Sequence, residues 1–170
     1  LNSAITNQAT GVNTIMTSQF DPQMFLDATI SEPSVKRPPL PATRDFVGII
    51  GEAKARAWQG KADPTKSGIA IDVPVEIDLS AYPDVMQTMG IPKVTLKDSI
   101  MLDLTESGTI DNAPGKNGKL RRYREALNMN KPGDTWSARA MQGRTILVKI
   151  KHRTFEGDVF DEIDSVAKAG

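Results

Sequence analysis

The sequence predicts a mainly β fold, a small antiparallel barrel that carries one helix and follows an extended N-terminal arm. Residues 69–79 alternate strictly between apolar and polar side chains, which is the period of a strand with one buried face. Turn-forming residues recur at short intervals after residue 45, and residues 119–128 show the apolar spacing of a helix. A β-sandwich or jelly roll is the alternative.

The N-terminal part, residues 1–44, is predicted to be a polar arm followed by a proline-rich lead. Residues 1–30 contain no Lys or Arg and are too polar and too weakly periodic to bury a core face. Asp21 and Pro22 favour a short amphipathic helix, because they suit the N-cap and the first helical position. Four prolines in residues 31–44 exclude a regular helix there. The folded domain is therefore predicted over residues 45–170.

Within that domain the pattern predicts five strands, near residues 45–59, 69–79, 93–104, 144–153 and 158–166, and a helix at 119–128. Gly48 and Gly51 indicate a bulge or bend in the first strand, as in strands that curl around a small barrel. A shorter helical turn is expected to end at Gly90. A helix between a three-stranded meander and a final hairpin fits a five-stranded OB-type barrel.

Composition excludes several kinds of site. The chain has no cysteine, so disulfides, thiolate zinc sites and cysteine nucleophiles are excluded, and its single histidine, His152, cannot form a histidine-based metal site. We find no catalytic motif and expect neither enzyme activity nor a cofactor. No apolar run approaches the roughly 20 residues that a membrane helix needs.

Charge is balanced over the whole chain but concentrated locally. The 21 basic and 21 acidic residues cancel, whereas residues 116–153 hold 11 Lys and Arg against 2 Asp and Glu. Such a block is typical of a surface that meets an anionic polymer, although an ordinary solvated face can look the same. The last 17 residues, by contrast, hold five acids and one Lys, and we expect this acidic end either to compete for the basic surface or to dock partners.

Four segments carry a resemblance to a known family. They are a Pro-x-x-x-Asp-Phe lead at 41–46, a Lys-Ser-Gly turn at 66–68, a Leu-Arg-x-x-Arg-Glu-Ala-Leu helix at 120–127 and a Gly-Arg pair at 143–144. Over residues 38–168 the chain resembles bacteriophage-encoded OB-fold proteins of the single-stranded-DNA-binding type. The resemblance implies a non-catalytic protein that binds single-stranded DNA during replication or recombination in the host cytoplasm, as a homo-oligomer or assembly subunit.

Residues that bind a single strand should be basic or aromatic and should point away from the core, because phosphates need cations and bases stack on aromatic rings. The alternation predicts two outward rows, and the helix adds further arginines. The candidates are Lys54, Arg56 and Trp58 on the first strand; Lys149, Lys151, Arg153 and Phe155 on the last hairpin; and Arg121, Arg122 and Arg124 on the helix. Both rows could equally be solvated strand faces, and Trp58 could be a half-buried packing residue.

The sequence leaves a second function open. A long polar arm is typical of segments that become ordered against a neighbouring subunit, as in a capsid lattice. The alternative is therefore a structural protein of the virion, a cement or decoration subunit that is anchored by its N-terminal arm and has the major capsid protein as its partner.

Overall fold

The structure, a computed structural model, describes residues 21–170, and the predicted arm over residues 1–20 lies outside them. The chain divides into two compact units, Leu1–Lys36 and Arg37–Gly170. In the described part of the first unit, Pro22–Phe25 form a short 3-10 helix. The Asp21 side chain caps it by accepting a hydrogen bond from Gln23 N at 3.0 Å, which confirms the predicted helix start.

The second unit contains six strands and two α-helices. The strands are β1 (Asp45–Ile50), β2 (Lys54–Gln59), β3 (Ser67–Asp78), β4 (Lys93–Met101), β5 (Thr145–Phe155) and β6 (Asp158–Lys168). The helices are α1 (Pro83–Met89) and α2 (Gly118–Ala126). Four of the five predicted strands and the predicted helix are present, with ends shifted by a few residues.

The first predicted strand is in fact two strands, because the chain bends between β1 and β2. Gly48 faces β3 so closely that a Cβ there would lie 2.4 Å from Val75 Cγ1. At the bend itself, Gly51 N donates to Pro74 O at 2.8 Å, so the chain remains attached to β3. The bend predicted from Gly48 and Gly51 is confirmed.

One antiparallel sheet contains all six strands. Its order is β2-β3-β1-β5-β6, and β4 pairs with β3 along its whole length. Strands β4 and β6 approach each other and both contact α2, but no ladder joins them. The mainly β, antiparallel fold is thus confirmed, whereas the sheet is not closed into a barrel.

The core lies on one face of this sheet, where alternate residues of β3 and β5 are completely or almost completely buried. α2 packs against this face through its buried residues Leu120, Tyr123 and Ala126. Met141 is completely buried in this core, whereas Met101 lies on the outer face of β4 and is 45% exposed.

Part of the proline-rich lead belongs to the folded unit. Leu40 is fully buried, its N–H donates to Asp161 Oδ2 at 2.8 Å, and its carbonyl oxygen lies 2.7 Å from His152 Nε2. Arg37 adds two hydrogen bonds to the same carboxylate, at 2.8 and 2.9 Å. The β5–β6 hairpin therefore anchors the lead, and the acidic end of the chain forms the edge strand β6 rather than a free tail.

Candidate nucleic-acid interface

The first predicted row lies on the outer face of the sheet. Lys54, Arg56 and Trp58 pair with Asp72, Ala70 and Gly68 of β3, opposite the core side. Trp58 is half-buried because its indole lies on Gly68, where a Cβ would come within 2.9 Å of the indole Nε1.

Asp72 balances the charge of this row. Its Oδ2 lies 2.9 Å from Arg56 Nε and 3.7 Å from Lys97 Nζ, while its Oδ1 accepts from Ser99 Oγ at 2.6 Å. The Ser99 hydroxyl and the Arg56 guanidinium hold the pKa of Asp72 below its ordinary value, although burial opposes the shift. The carboxylate is therefore ionised at neutral pH and compensates the cations that surround it.

Acidic and basic side chains also lie next to each other further along the sheet. Glu76 Oε1 accepts from Lys93 Nζ at 2.9 Å, and this carboxylate raises the pKa of the lysine. Lys93 and Lys97 of β4 were not among the predicted site residues, since only the strand register shows that they lie beside the acids of β3. The outer face of β2, β3 and β4 is thus rich in charge but nearly neutral.

The second predicted row lies along β5 and has fewer acidic partners. Lys149 is placed opposite Asp45 on β1 and Ser165 on β6, and Lys151 opposite Glu162. Among the described residues, no carboxylate oxygen comes within 4 Å of the ammonium nitrogen of either lysine. Both lysines are exposed, so their charges face solvent.

Two aromatic rings and an arginine form the end of this hairpin. Arg153 hydrogen-bonds Glu162, and its guanidinium carbon lies 5.8 Å from the ring centroid of Phe155 and 5.5 Å from that of Phe160. Phe155 is 54% exposed and Phe160 is 39% exposed. We did not predict Phe160 from the sequence, because its place opposite Arg153 follows from the pairing of β5 with β6.

A tight turn at Glu156 and Gly157 fixes the register of β5 against β6. Glu156 and Gly157 both have positive φ, 50° and 82°, as a two-residue hairpin turn of the I′ type requires. The predicted final hairpin is confirmed. It places Phe155 opposite Asp158 and Arg153 opposite Phe160 on the same outer face.

The three helix arginines do not form one row. Arg121 and Arg124 line a cleft beside α2, where Arg124 Nε donates to Met129 O at 3.1 Å. Arg122 borders a separate, small recess between α2 and β6. Arg121 has Glu125 one turn away on the helix, with 3.7 Å between Nε and Oε1.

A buried polar cluster fixes α2 to β4. Tyr123 Oη donates to Asp98 Oδ2 at 2.9 Å, and Lys119 Nζ donates to the other oxygen of the same carboxylate. Burial and the Asp98 charge raise the pKa of the Tyr123 phenol far above its ordinary value. This cluster positions the helix arginines and leaves no room for a ligand of its own.

The structure therefore brings the candidates together in separate groups. Lys149, Lys151, Arg153 and Phe155 share one face of the β5–β6 hairpin, whereas Lys54, Arg56 and Trp58 share β2, and no ladder joins β2 to β5.

Within residues 21–170, His, Asp and Glu side chains form no group of three that could hold a metal ion, and no helix has the length and apolar character to cross a membrane. Comparison of the chain with protein-family models and with curated proteins found no match.

Proposed function

We propose that this chain is a bacteriophage-encoded protein that binds single-stranded DNA without catalysis, during replication or recombination in the host cytoplasm. The observation that carries the proposal is the end of the β5–β6 hairpin, where exposed Phe155 and Phe160 flank Arg153. Exposed aromatic rings offer stacking platforms for bases, and neighbouring cations neutralise the phosphates between them. Lys149 and Lys151 continue the cationic row along the same strand.

The strand order supports an open barrel of the OB type as the scaffold. If the bent pair β1 and β2 is counted as one strand, that strand pairs with both β3 and β5, and α2 lies between the meander and the final hairpin. Binding hairpins at the rim of such barrels are a common way to hold a single strand.

The test is a fluorescence-anisotropy titration of a labelled single-stranded oligonucleotide at low and moderate salt. Phe155→Ala and Phe160→Ala should each weaken binding about fivefold or more, since a stacked base contributes roughly 1–3 kcal/mol. The control is Val159→Ala, because Val159 is 47% exposed but lies on the opposite face of the same hairpin. Wild-type affinity should also fall steeply with salt, because binding releases counterions.

The hairpin proposal fails if the protein shows no binding at low salt, or if Val159→Ala weakens binding as much as the two phenylalanine variants do. A lack of salt dependence would contradict the role of the lysine and arginine row.

One observation favours a second function, that of a virion cement or decoration protein. The described part of the first unit exposes large apolar side chains to an unusual degree, with Met24 at 74%, Leu26 at 77% and Ile30 at 84%. An apolar segment of this kind is typical of a surface that another protein covers. The test measures the copy number of the chain in purified phage particles. Stoichiometric incorporation that is lost when Met24, Leu26 and Ile30 are changed to Ser would support this function.

A further inference from the structure

A cleft of about 530 Å³ lies beside α2. Its lining residues all fall between positions 112 and 134, so neither β5 nor β6 contributes to it. Its volume is within the range of small-molecule sites. Four cationic side chains and one carboxylate line it, namely Lys116, Arg121, Arg124, Lys131 and Asp134. The walls therefore carry an excess of positive charge.

Only part of this positive charge is neutralised by the protein, through Glu125, whose Oε1 lies 3.7 Å from Arg121 Nε. In the described part of the chain, neither Lys116 nor Lys131 has a carboxylate oxygen within 4 Å of its ammonium nitrogen. Asp134 is engaged by the turn on which it lies, since its Oδ2 accepts from Lys131 N at 2.8 Å. An anion that enters the cleft would thus meet two lysines that are not already paired with acids.

The walls are held in place by partly buried hydrogen bonds. Asn117, which is only 7% exposed, accepts from Asp103 N at 2.9 Å and donates to the carbonyl oxygens of Asp103 and Asp111 at 2.9 and 2.8 Å. On the other side, the bond from Arg124 Nε to Met129 O fixes the guanidinium. A preformed site loses less entropy when it binds a ligand than a mobile one does.

An apolar recess of about 230 Å³ adjoins the cleft. Ile110, Leu120 and Trp136 line it together with Asn112 and Arg124, and it shares Asn112, Leu120 and Arg124 with the cationic cleft. A ligand that bridges the two would need an anionic group at one end and a flat, largely apolar group at the other.

We propose that the cleft binds the phosphate monoester of a nucleotide, with the base in the apolar recess beside Trp136. Phosphate is held well by several Lys and Arg side chains through charge-assisted hydrogen bonds. The same chemistry could come from a free mononucleotide or from the 5′-phosphorylated end of a strand. This site is independent of the hairpin, so it can exist whether or not the hairpin binds DNA.

The experiment is isothermal titration calorimetry of the full chain with adenosine 5′-monophosphate, adenosine and inorganic phosphate at low salt. The nucleotide should bind saturably and at least about tenfold more tightly than adenosine, because the phosphate supplies the charge-assisted contacts. The double variant Lys116→Gln and Lys131→Gln should weaken nucleotide binding by about the same factor. The matched control, Lys61→Gln and Lys168→Gln, removes two exposed charges outside the cleft and should leave the affinity unchanged.

Three results would overturn the proposal: no saturable binding at millimolar nucleotide, equal affinity for adenosine and its monophosphate, or equal losses in the cleft variant and its control. Circular dichroism of each variant verifies that it is folded.

Oligonucleotides with and without a 5′-phosphate then identify the source of the ligand. A preference for the phosphorylated strand that the cleft variant abolishes would assign the site to strand ends. Equal affinity for both strands, together with nucleotide binding, would assign it to the free nucleotide.

Discussion

Asp72→Asn is expected to tighten binding of single-stranded DNA if the outer face of β2 takes part in the interface. The carboxylate of Asp72 lies 2.9 Å from Arg56 Nε and 3.7 Å from Lys97 Nζ, so one negative charge compensates two cations that would otherwise face a phosphate. Asparagine has nearly the same shape and can still accept the hydrogen bond from Ser99 Oγ. The exposed ion pairs that are lost contribute about 0–1 kcal/mol each to stability, so the variant should fold.

The magnitude follows from counterion release. Each additional phosphate that is neutralised on a single strand steepens the slope of log K against log salt by about 0.7. Between about 1 M and about 0.05 M salt this slope corresponds to a gain of roughly five- to tenfold at the lower concentration. Since the pKa of Asp72 is lowered from its ordinary value, the wild-type carboxylate is charged throughout the neutral range, and the difference between variant and wild type should not depend on pH there.

The assay is the anisotropy titration repeated at several salt concentrations, and the control is Glu106→Gln. This control removes the same charge from an exposed loop position that lies outside the sheet. A general effect of net charge would raise the affinity of both variants equally, and that result would refute a role for the β2 face. An unchanged affinity of Asp72→Asn, with binding still sensitive to Phe155→Ala, would confine the interface to the hairpin.

Three further predictions concern the fold that positions these sites. Gly48→Ala should destabilise the protein by about 1–3 kcal/mol in urea unfolding, because its Cβ would lie 2.4 Å from Val75 Cγ1. The double variant with Val75→Ala should lose less free energy of unfolding than the sum of the two single variants, and additive losses would contradict the clash. The pKa of Tyr123 is raised in the folded state, so its contribution to stability is fully present below the unfolded-state pKa of about 10 and is lost as the pH rises above it. Above that pH the free energy of unfolding of the wild type should fall more steeply than that of Tyr123→Phe, by up to about 1.4 kcal/mol per pH unit. Parallel plots of unfolding free energy against pH for the two proteins would contradict this. The hydrogen bonds from Arg37 and Leu40 N lower the pKa of Asp161, although burial opposes this shift. The contribution of the carboxylate to stability is therefore present above about pH 4 and is lost as the pH falls below it. The Tm of Asp161→Asn should be lower than that of the wild type at pH 7, and the difference should be smaller at about pH 2.

Strands β1, β3, β4 and β5 were predictable because each buries alternate residues, and the alternation of residues 69–79 directly reflects the core contacts of β3. The burial of Leu40 was not predictable. It depends on His152 and Asp161, which lie more than 100 positions later in the chain, so no local pattern around the prolines indicates it. Local sequence instead favoured a lead that precedes the folded domain.

The candidate site was predictable in its residue types but not in its electrostatics. Alternation correctly placed Arg56 on an outward face, but periodicity shows which face a residue occupies and not which neighbour it meets. Only the pairing of β2 with β3 reveals that Arg56 and Asp72 contact each other. For the same reason Phe160 was missed, since it becomes a candidate only through its contact with Arg153 on the neighbouring strand.

These electrostatics indicate how a neutral protein could hold an anionic strand. With equal numbers of acidic and basic residues, the chain as a whole provides little long-range attraction for DNA, so affinity must come from short-range contacts where cations are not compensated. Lys149 and Lys151 on the hairpin meet that condition better than Arg56 on β2, whose partner is Asp72. We therefore expect the hairpin to supply most of the binding energy and the β2 face to modulate it. A larger change in affinity for Asp72→Asn than for Phe155→Ala would show that the β2 face contributes more than the hairpin.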